Sequence, residues 1–238
     1  MALPIPLWDE PLAQAAVWSA VTIGFYVVAK RLYRWRPVPW LMPLLVTPAA
    51  LILVALALHV SYRDYIRGTG WLIGLLGPAT VAFALPIYEQ RAVIRRHWPV
   101  LAVGMLAGST TAFLTGWALS TLLGLDGALR LSLLPRSIST PFAMTVSGEI
   151  GGIPDLTAVF VVVTGVLGAV FGELLLAWLP VRTALARGAL FGVGAHGAGT
   201  AKALEIGREE GSIAGLVMVL VGLLNVLAAP AIAHYLGS

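Results

Sequence analysis

Cysteine is absent from all 238 residues, which excludes a disulfide framework, a thiolate nucleophile and any Cys-ligated metal. Charge is scarce: Asp, Glu, Lys and Arg make up 11% of the chain, against about a quarter in an ordinary soluble domain. Four scattered histidines form no ligand cluster, so neither a metal nor another cofactor is expected. No Gly-x-Ser-x-Gly elbow is present, and Pro and Arg surround Ser137 and Ser139, the serines that could act with His196, so an enzyme is not expected. What the chain has in abundance is apolar surface, with 59% hydrophobic residues and a mean hydropathy of +0.91. A water-soluble core is ruled out. At about 20 apolar residues per crossing, the length suits an all-α polytopic membrane protein of roughly six to eight transmembrane segments, read as a single domain over 1–238. The pI near 9.8 does not signal nucleic-acid binding, because the Lys and Arg residues sit in loops beside apolar spans, where they orient a membrane protein.

Asp9 and Glu10 stand where a signal peptide would carry basic residues, so no cleaved leader is expected. Lys30, Arg31, Arg34 and Arg36 instead follow the first apolar stretch, 12–29, which places the N-terminus outside. Further spans are expected at 39–60, 71–88 and 99–123. The intervening loops 30–36, 61–70, 89–98 and 124–130 carry four, two, three and one basic residues. That alternation makes the first and third cytoplasmic. Trp8, Trp35, Trp40, Trp71, Trp98 and Trp178 fall near span ends, as interfacial anchors do.

Beyond the N-terminal helices of 1–128 the pattern is less regular. Spans 156–178 and 212–235 are clear, but 131–147 contains Pro135 and Pro141, and 187–202 contains Gly188, Gly192, Gly194, Gly197 and Gly199. Both stretches read as helix, break, helix. A shift of 60 residues aligns them: Thr140 meets Thr200, Ala143 meets Ala203, Glu149 meets Glu209, and Gly151 meets Gly211. Residues 129–178 and 186–238 would then be repeat units, each a broken segment followed by one full helix. Re-entrant breaks would make the second copy inverted and keep Arg182 and Arg187 in the cytoplasm, the arrangement the positive-inside rule prefers.

Broken helix at membrane depth survives only against protein or a watery cavity, so the breaks should line a site. Arg136 lies in the first, and a lone arginine there needs an anionic partner, either Glu149, Glu173 or Glu205 or the carboxylate of a substrate. Those three glutamates are also the candidates for coupling. Ser137, Ser139 and Thr140 add hydroxyls beside a half-helix N-terminus, and His196, Gly199 and Thr200 supply an imidazole, bare backbone and a hydroxyl at the second break. Together these seven residues describe a small, anion-preferring pocket of the kind found where discontinuous helices meet in secondary transporters. The bland readings are a structural or snorkelling Arg136, a His196 bonded to a neighbouring carbonyl, and hydroxyls that only repair backbone bonds lost at Pro141. The glycine pairs Gly104 and Gly108, Gly168 and Gly172, and Gly188 and Gly192 read as helix packing.

The run from Leu134 to Ala143 (LPRSISTPFA), with Gly151-Gly-Ile-Pro154, the Gly165 to Gly172 stretch, Ala195-His-Gly-Ala-Gly-Thr-Ala201 and Glu210-Gly211, resembles the LrgB/CidB family. Tyr62-Arg-Asp-Tyr65 and Leu85-Pro-Ile-Tyr-Glu-Gln90 extend the resemblance over nearly the whole chain. Arg136 stands where that family usually has Lys, and Ser139 where Thr is common; both changes keep the charge and the hydroxyl. The resemblance implies a bacterial cytoplasmic-membrane protein, often paired with a small holin-like LrgA/CidA partner. It implies one of two roles: an antiholin-like regulator of murein hydrolase export and autolysis, or a transporter of small carboxylates such as pyruvate, glycolate or 3-hydroxypropionate. The plastid glycolate/glycerate translocator contains a similar domain. The arginine and hydroxyl cluster favours the carrier, and a homodimer is expected because the scaffold is small.

Because the chain is naturally free of cysteine, single cysteines introduced in 131–147 and in 187–202 should react with an impermeant thiol reagent from opposite sides of the membrane. Labelling of both from one side would remove the inverted arrangement.

Overall fold

Prolines and small capping residues set most of the helix boundaries. The computed structural model describes residues 11–236 and contains eleven α-helices and two short 3-10 turns, with no strand among the described residues. Trp8, Asp9 and Glu10, on which the leader and first-anchor expectations rest, lie outside the described residues. Five stretches are long and apolar enough to cross a bilayer: Leu12–Trp35, Tyr62–Glu89, Arg91–Leu122, Pro154–Trp178 and Arg208–Tyr235. The chain is an all-α, multi-pass membrane protein.

It divides into two compact units, the described residues up to Ala79 and those from Thr80 onward. In the first, α1 (Pro11–Trp35) ends where Pro37 and Pro39 remove backbone donors, and α2 (Pro43–Ala57) follows a 3-10 turn. Helix α3 (Tyr62–Gly74) begins at Ser61, whose hydroxyl oxygen accepts the Asp64 N–H at 3.2 Å. It packs on α1 through polar contacts between apolar faces. The Trp71 indole N–H donates to Ser19 Oγ at 2.7 Å, and the Tyr65 and Thr22 hydroxyls meet at 3.0 Å. The Tyr65 ring stands edge-on to the buried Trp18.

Two expectations from the sequence need correction in this region. The apolar stretch 39–60 yields only the fifteen-residue α2, about 22 Å long at 1.5 Å per residue, which is short of a full hydrocarbon core. Residues 61–70 are the start of α3 instead of a loop, because the Ser61 cap nucleates helix ahead of the apolar run. The same applies further on, where 89–98 is largely helix: α6 (Arg91–Leu122) starts eight residues before Pro99 and bends at His97, where φ is −121° and ψ is 15°. Pro99 cannot donate to the Arg95 carbonyl, which loosens that turn without ending the helix. The anchors Trp35, Trp40, Trp71, Trp98 and Trp178 are all exposed on the protein, as lipid-facing residues are.

Helix α4 (Leu76–Ala82) spans the boundary, and α5 (Ala84–Glu89) opens the second unit ahead of α6. Next come α7 (Gly127–Leu133), a 3-10 turn (Leu134–Ser137), α8 (Thr140–Glu149), α9 (Pro154–Trp178), α10 (Ala184–Ile206) and α11 (Arg208–Leu236). Its core is built from the broken segment itself: Leu134, Ile138, Phe142, Val146 and Ile150 pack on Val161 of α9 and on Ile213, Val217 and Val221 of α11. Helices α10 and α11 are joined by Gly207 alone and lie nearly backbone to backbone. A Cβ at Gly192 would sit 2.6 Å from the Ala214 carbonyl, and one at Gly188 2.7 Å from that of Glu210. On the other face of α10, a Cβ at Gly172 would sit 2.7 Å from the Phe191 ring, and Gly168 lies against the Gly194 carbonyl. The glycine pairs therefore serve close helix packing, except Gly104, which has nothing within 4 Å of a built Cβ.

The Gly151-Gly-Ile-Pro154 turn has a part for each residue. Gly151 takes φ +82°, a conformation that costs glycine nothing. Gly152 donates to the Ser147 carbonyl at 2.7 Å and has no room for a side chain beside Ser132 and Ser147. The Ile153 N–H donates to Ser132 Oγ at 2.7 Å, and Pro154 occupies the first position of α9, where its missing donor is not needed. Below the turn Thr157 Oγ1 lies 2.9 Å from the Ser132 carbonyl and 2.7 Å from Ser147 Oγ, and all three residues are fully buried. These hydroxyls pin α7, α8 and α9 together. Replacing Thr157 by Val should lower stability by about 1–3 kcal/mol, because buried polar partners lose their bond. Reversible SDS unfolding in mixed micelles measures this, with Thr145→Val, an exposed hydroxyl bonded only to the Pro141 carbonyl, as the control expected to stay within about 0.5 kcal/mol.

Candidate functional site

Both expected breaks are present in the second unit, and they are built differently. The first is a full interruption. Helix α7 gives way to the 3-10 turn at Pro135, whose ψ is 15°, and Ile138 and Ser139 are extended before Thr140 and Pro141 start α8. The second is a sharp kink at one residue: His196 takes φ 38° and ψ −118°, and the two helical halves of α10 fold so closely about it that a Cβ at Gly199 would run into the Phe191 carbonyl. For a residue with a Cβ that is a strained conformation, held only because the surrounding packing fixes it.

Arg136 projects from the first break onto α6. Its Nη1 donates to the Ala112 carbonyl at 3.2 Å and lies over Gly116, where a Cβ would come within 3.2 Å of it. No carboxylate among the described residues lies within ion-pair distance of the guanidinium. Two of its three expected acidic partners belong to another cation. Lys202, on the far side of the second break, holds Glu173 of α9 at 3.1 Å and Glu205 of its own helix at 3.0 Å. Glu149 is exposed at the end of α8 and makes no ion pair with the described residues. Arg136 is thus half-buried, and among the described residues a carbonyl is its only hydrogen-bond partner. Ser139, the residue that caps α8 by position, makes no capping bond, and its buried Oγ has no hydrogen-bond partner.

A small cleft lies beside this turn. Ser137, Pro135 and Ile138 form one wall, Ser109 and Ala112 of α6 a second, Val193 of α10 a third, and Asn225 of α11 a fourth. The two breaks therefore do come together, through Val193, three residues ahead of His196. The side chains named at the second break do not line the cleft. His196 is buried against Gly165 of α9, with its Nε2 lacking a hydrogen-bond partner. The Thr200 hydroxyl donates at 2.9 Å to the His196 carbonyl, one turn back in its own helix, and so is engaged with backbone instead of the cleft. Gly199 faces the Phe191 carbonyl and Ala195 of the half of α10 ahead of the kink, where a Cβ has no space. Of the seven predicted site residues, Ser137 lines the cleft, Arg136 adjoins it through Ala112, Ser139 and Thr140 begin the helix behind it, and the other three shape its support.

Sequence reasoning missed Ser109 and Asn225. Asn225 Nδ2 donates to Ser109 Oγ at 3.0 Å and to the Val221 carbonyl at 2.8 Å, joining α11 to α6 across the cleft. The signal was available: Asn225 is the chain's only asparagine, set in the middle of the last apolar span, and a polar residue at that depth points to a site.

The model for the LrgB-like family matches residues 22–235. The chain is 40% identical over 210 residues to an uncharacterized protein, YwbG, of Bacillus subtilis, covering 88% of this chain and 93% of that one. It is 36% identical to YxaC of the same organism, also uncharacterized, over 91% and 94% of the two chains. The holin-like protein CidB of Staphylococcus aureus is 31% identical over 217 residues, 91% of this chain and 95% of CidB. No solved structure matches. With residues 22–235 matched by the family model and relatives 31–40% identical over about nine-tenths of its length, this multi-pass membrane protein belongs to the LrgB-like family.

Proposed function

We propose that this protein carries small carboxylates, of the glycolate, pyruvate and 3-hydroxypropionate class, across the bacterial cytoplasmic membrane, with the cleft beside Arg136 as the substrate site. The observation that carries this reading is the state of Arg136. A guanidinium has five N–H donors in a planar fork, and here a single backbone carbonyl accepts from it. Keeping an arginine within a membrane segment costs about 2.5 kcal/mol or more. A carboxylate would offset that cost with two oxygens matched to the fork. Ser137, the free Ser139 hydroxyl and the N-terminus of α8 at Thr140 supply further donors nearby.

His196, Gly199 and Thr200 act in this reading as positioning residues that hold the second break, and thereby Val193, against the substrate. Lys202 with Glu173 and Glu205 ties α9 to α10 behind them. A homodimer, and a small membrane partner of the LrgA/CidA kind, belong to the same proposal. The N-terminus would lie outside.

A second reading is favoured by a specific finding, the name holin-like borne by the CidB relatives. In it the chain is an antiholin-like regulator of murein hydrolase export and autolysis acting with a holin-like partner, and it has no substrate of its own. That role requires no unpaired arginine at a helix break.

Proteoliposomes containing the pure chain should take up labelled glycolate or pyruvate. Arg136→Ala should reduce uptake at least about 100-fold, the loss expected when a charge-assisted bidentate contact disappears, while Arg136→Lys should keep part of it. Uptake no greater than in empty liposomes, together with an autolysis phenotype that survives Arg136→Ala and His196→Ala, would establish the regulator instead.

A further inference from the structure

We infer that Asn225 and Ser109 form a second subsite of the cleft, one that reads the oxygen on the carbon next to a bound carboxylate and prefers a 2-hydroxy acid. The inference rests on the carboxylate reading above and goes beyond it, because it ranks acids that Arg136 alone treats alike.

The argument starts from the hydrogen bonds that the pair leaves open. The Val221 carbonyl can only accept, so the Asn225 atom 2.8 Å from it must be the amide nitrogen, which fixes the orientation of the amide. The other N–H goes to Ser109 Oγ. Both amide donors are therefore spent, and Oδ1 has no donor among the described residues. Ser109 accepts the amide N–H, and its own proton has no acceptor among them. What remains is one acceptor on Asn225 and one donor on Ser109, on two residues that both line the cleft. A clamp between α6 and α11 would use only the bond already made.

A hydroxyl satisfies both groups at once, donating to Asn225 Oδ1 and accepting from the Ser109 hydroxyl. A keto oxygen accepts from Ser109 and leaves Oδ1 unmatched. A methylene satisfies neither. The placement suits the same molecule: Ser109 and Ala112, whose carbonyl holds Arg136, both line the cleft from α6, so the pair and the guanidinium are set along one helix. Leu134, Val193 and Val221 close the remaining sides with apolar surface, which does not favour a second charge.

Lactate, pyruvate and propanoate carry one carboxylate and three carbons and differ only at carbon 2. Titration calorimetry of the purified full chain in detergent should rank their affinities lactate, pyruvate, propanoate, with at least about tenfold between the ends. Asn225→Ala should compress the three to within about twofold while the melting temperature reports folding. Ser109→Ala, which leaves the Asn225 bond to Val221 intact, should compress the series in the same way and serves if the first variant does not fold. Equal wild-type affinities, or variants that weaken all three acids in parallel, would overturn the subsite and leave the carboxylate reading standing. Failure of the wild type to bind any of the three would remove the carboxylate reading and the subsite with it.

Discussion

A backbone N–H or C=O at membrane depth must find a partner inside the protein, and the second unit is arranged around two places where the helix itself does not provide one. The first break places a 3-10 turn and two extended residues among apolar helices. The second turns the chain sharply at His196, between the two helical halves of α10. Thr200 donates to the His196 carbonyl at that kink, and the Ser132, Ser147 and Thr157 hydroxyls settle the neighbouring end of α8 and the Gly151–Pro154 turn. Glycines do the rest by allowing helices to approach so closely that the irregular segments are walled in by protein and kept from lipid. Arg136 differs from all of these groups. It is charged, it sits at the less regular break, and the protein gives it one carbonyl.

Much of this was legible in the sequence because membrane segments obey few and strong rules. Apolar run length located the long helices, and Pro135, Pro141 and the glycine cluster marked the two breaks. The errors have local causes. The charged residues of 89–98 read as a loop between apolar spans, whereas α6 starts at Arg91 and Pro99 only bends it, and the Ser61 cap turns 61–70 into helix. The short α2 shows that composition alone does not distinguish a crossing helix from an apolar one that stops early.

The site was less legible than the fold. The sequence located the breaks but not the direction of their side chains, so His196, Gly199 and Thr200 were grouped with Arg136 although the first packs toward α9, the second faces the half of α10 ahead of the kink and the third bonds the His196 carbonyl. Tertiary pairing across more than a hundred residues, as between Ser109 and Asn225, has no local signature beyond the oddity of a lone amide in an apolar helix. The i,i+3 spacing of Lys202 and Glu205 was a local signal for their pairing, whereas nothing in the sequence pointed to Glu173 on α9 as the second partner of Lys202.

The contact of α10 with α11 has a mechanical consequence. With Gly207 as the sole link, and with Gly188 and Gly192 pressed against carbonyls of the opposite helix, the two cannot slide past one another without collision. The half of α10 ahead of His196 and the facing part of α11 thus act as one lever. Val193 and Asn225 sit on that lever and face α6, so any swing that uncovers one wall of the cleft must withdraw the other in the same stroke. The single amide-to-hydroxyl bond to Ser109 is then the latch that such a swing has to break.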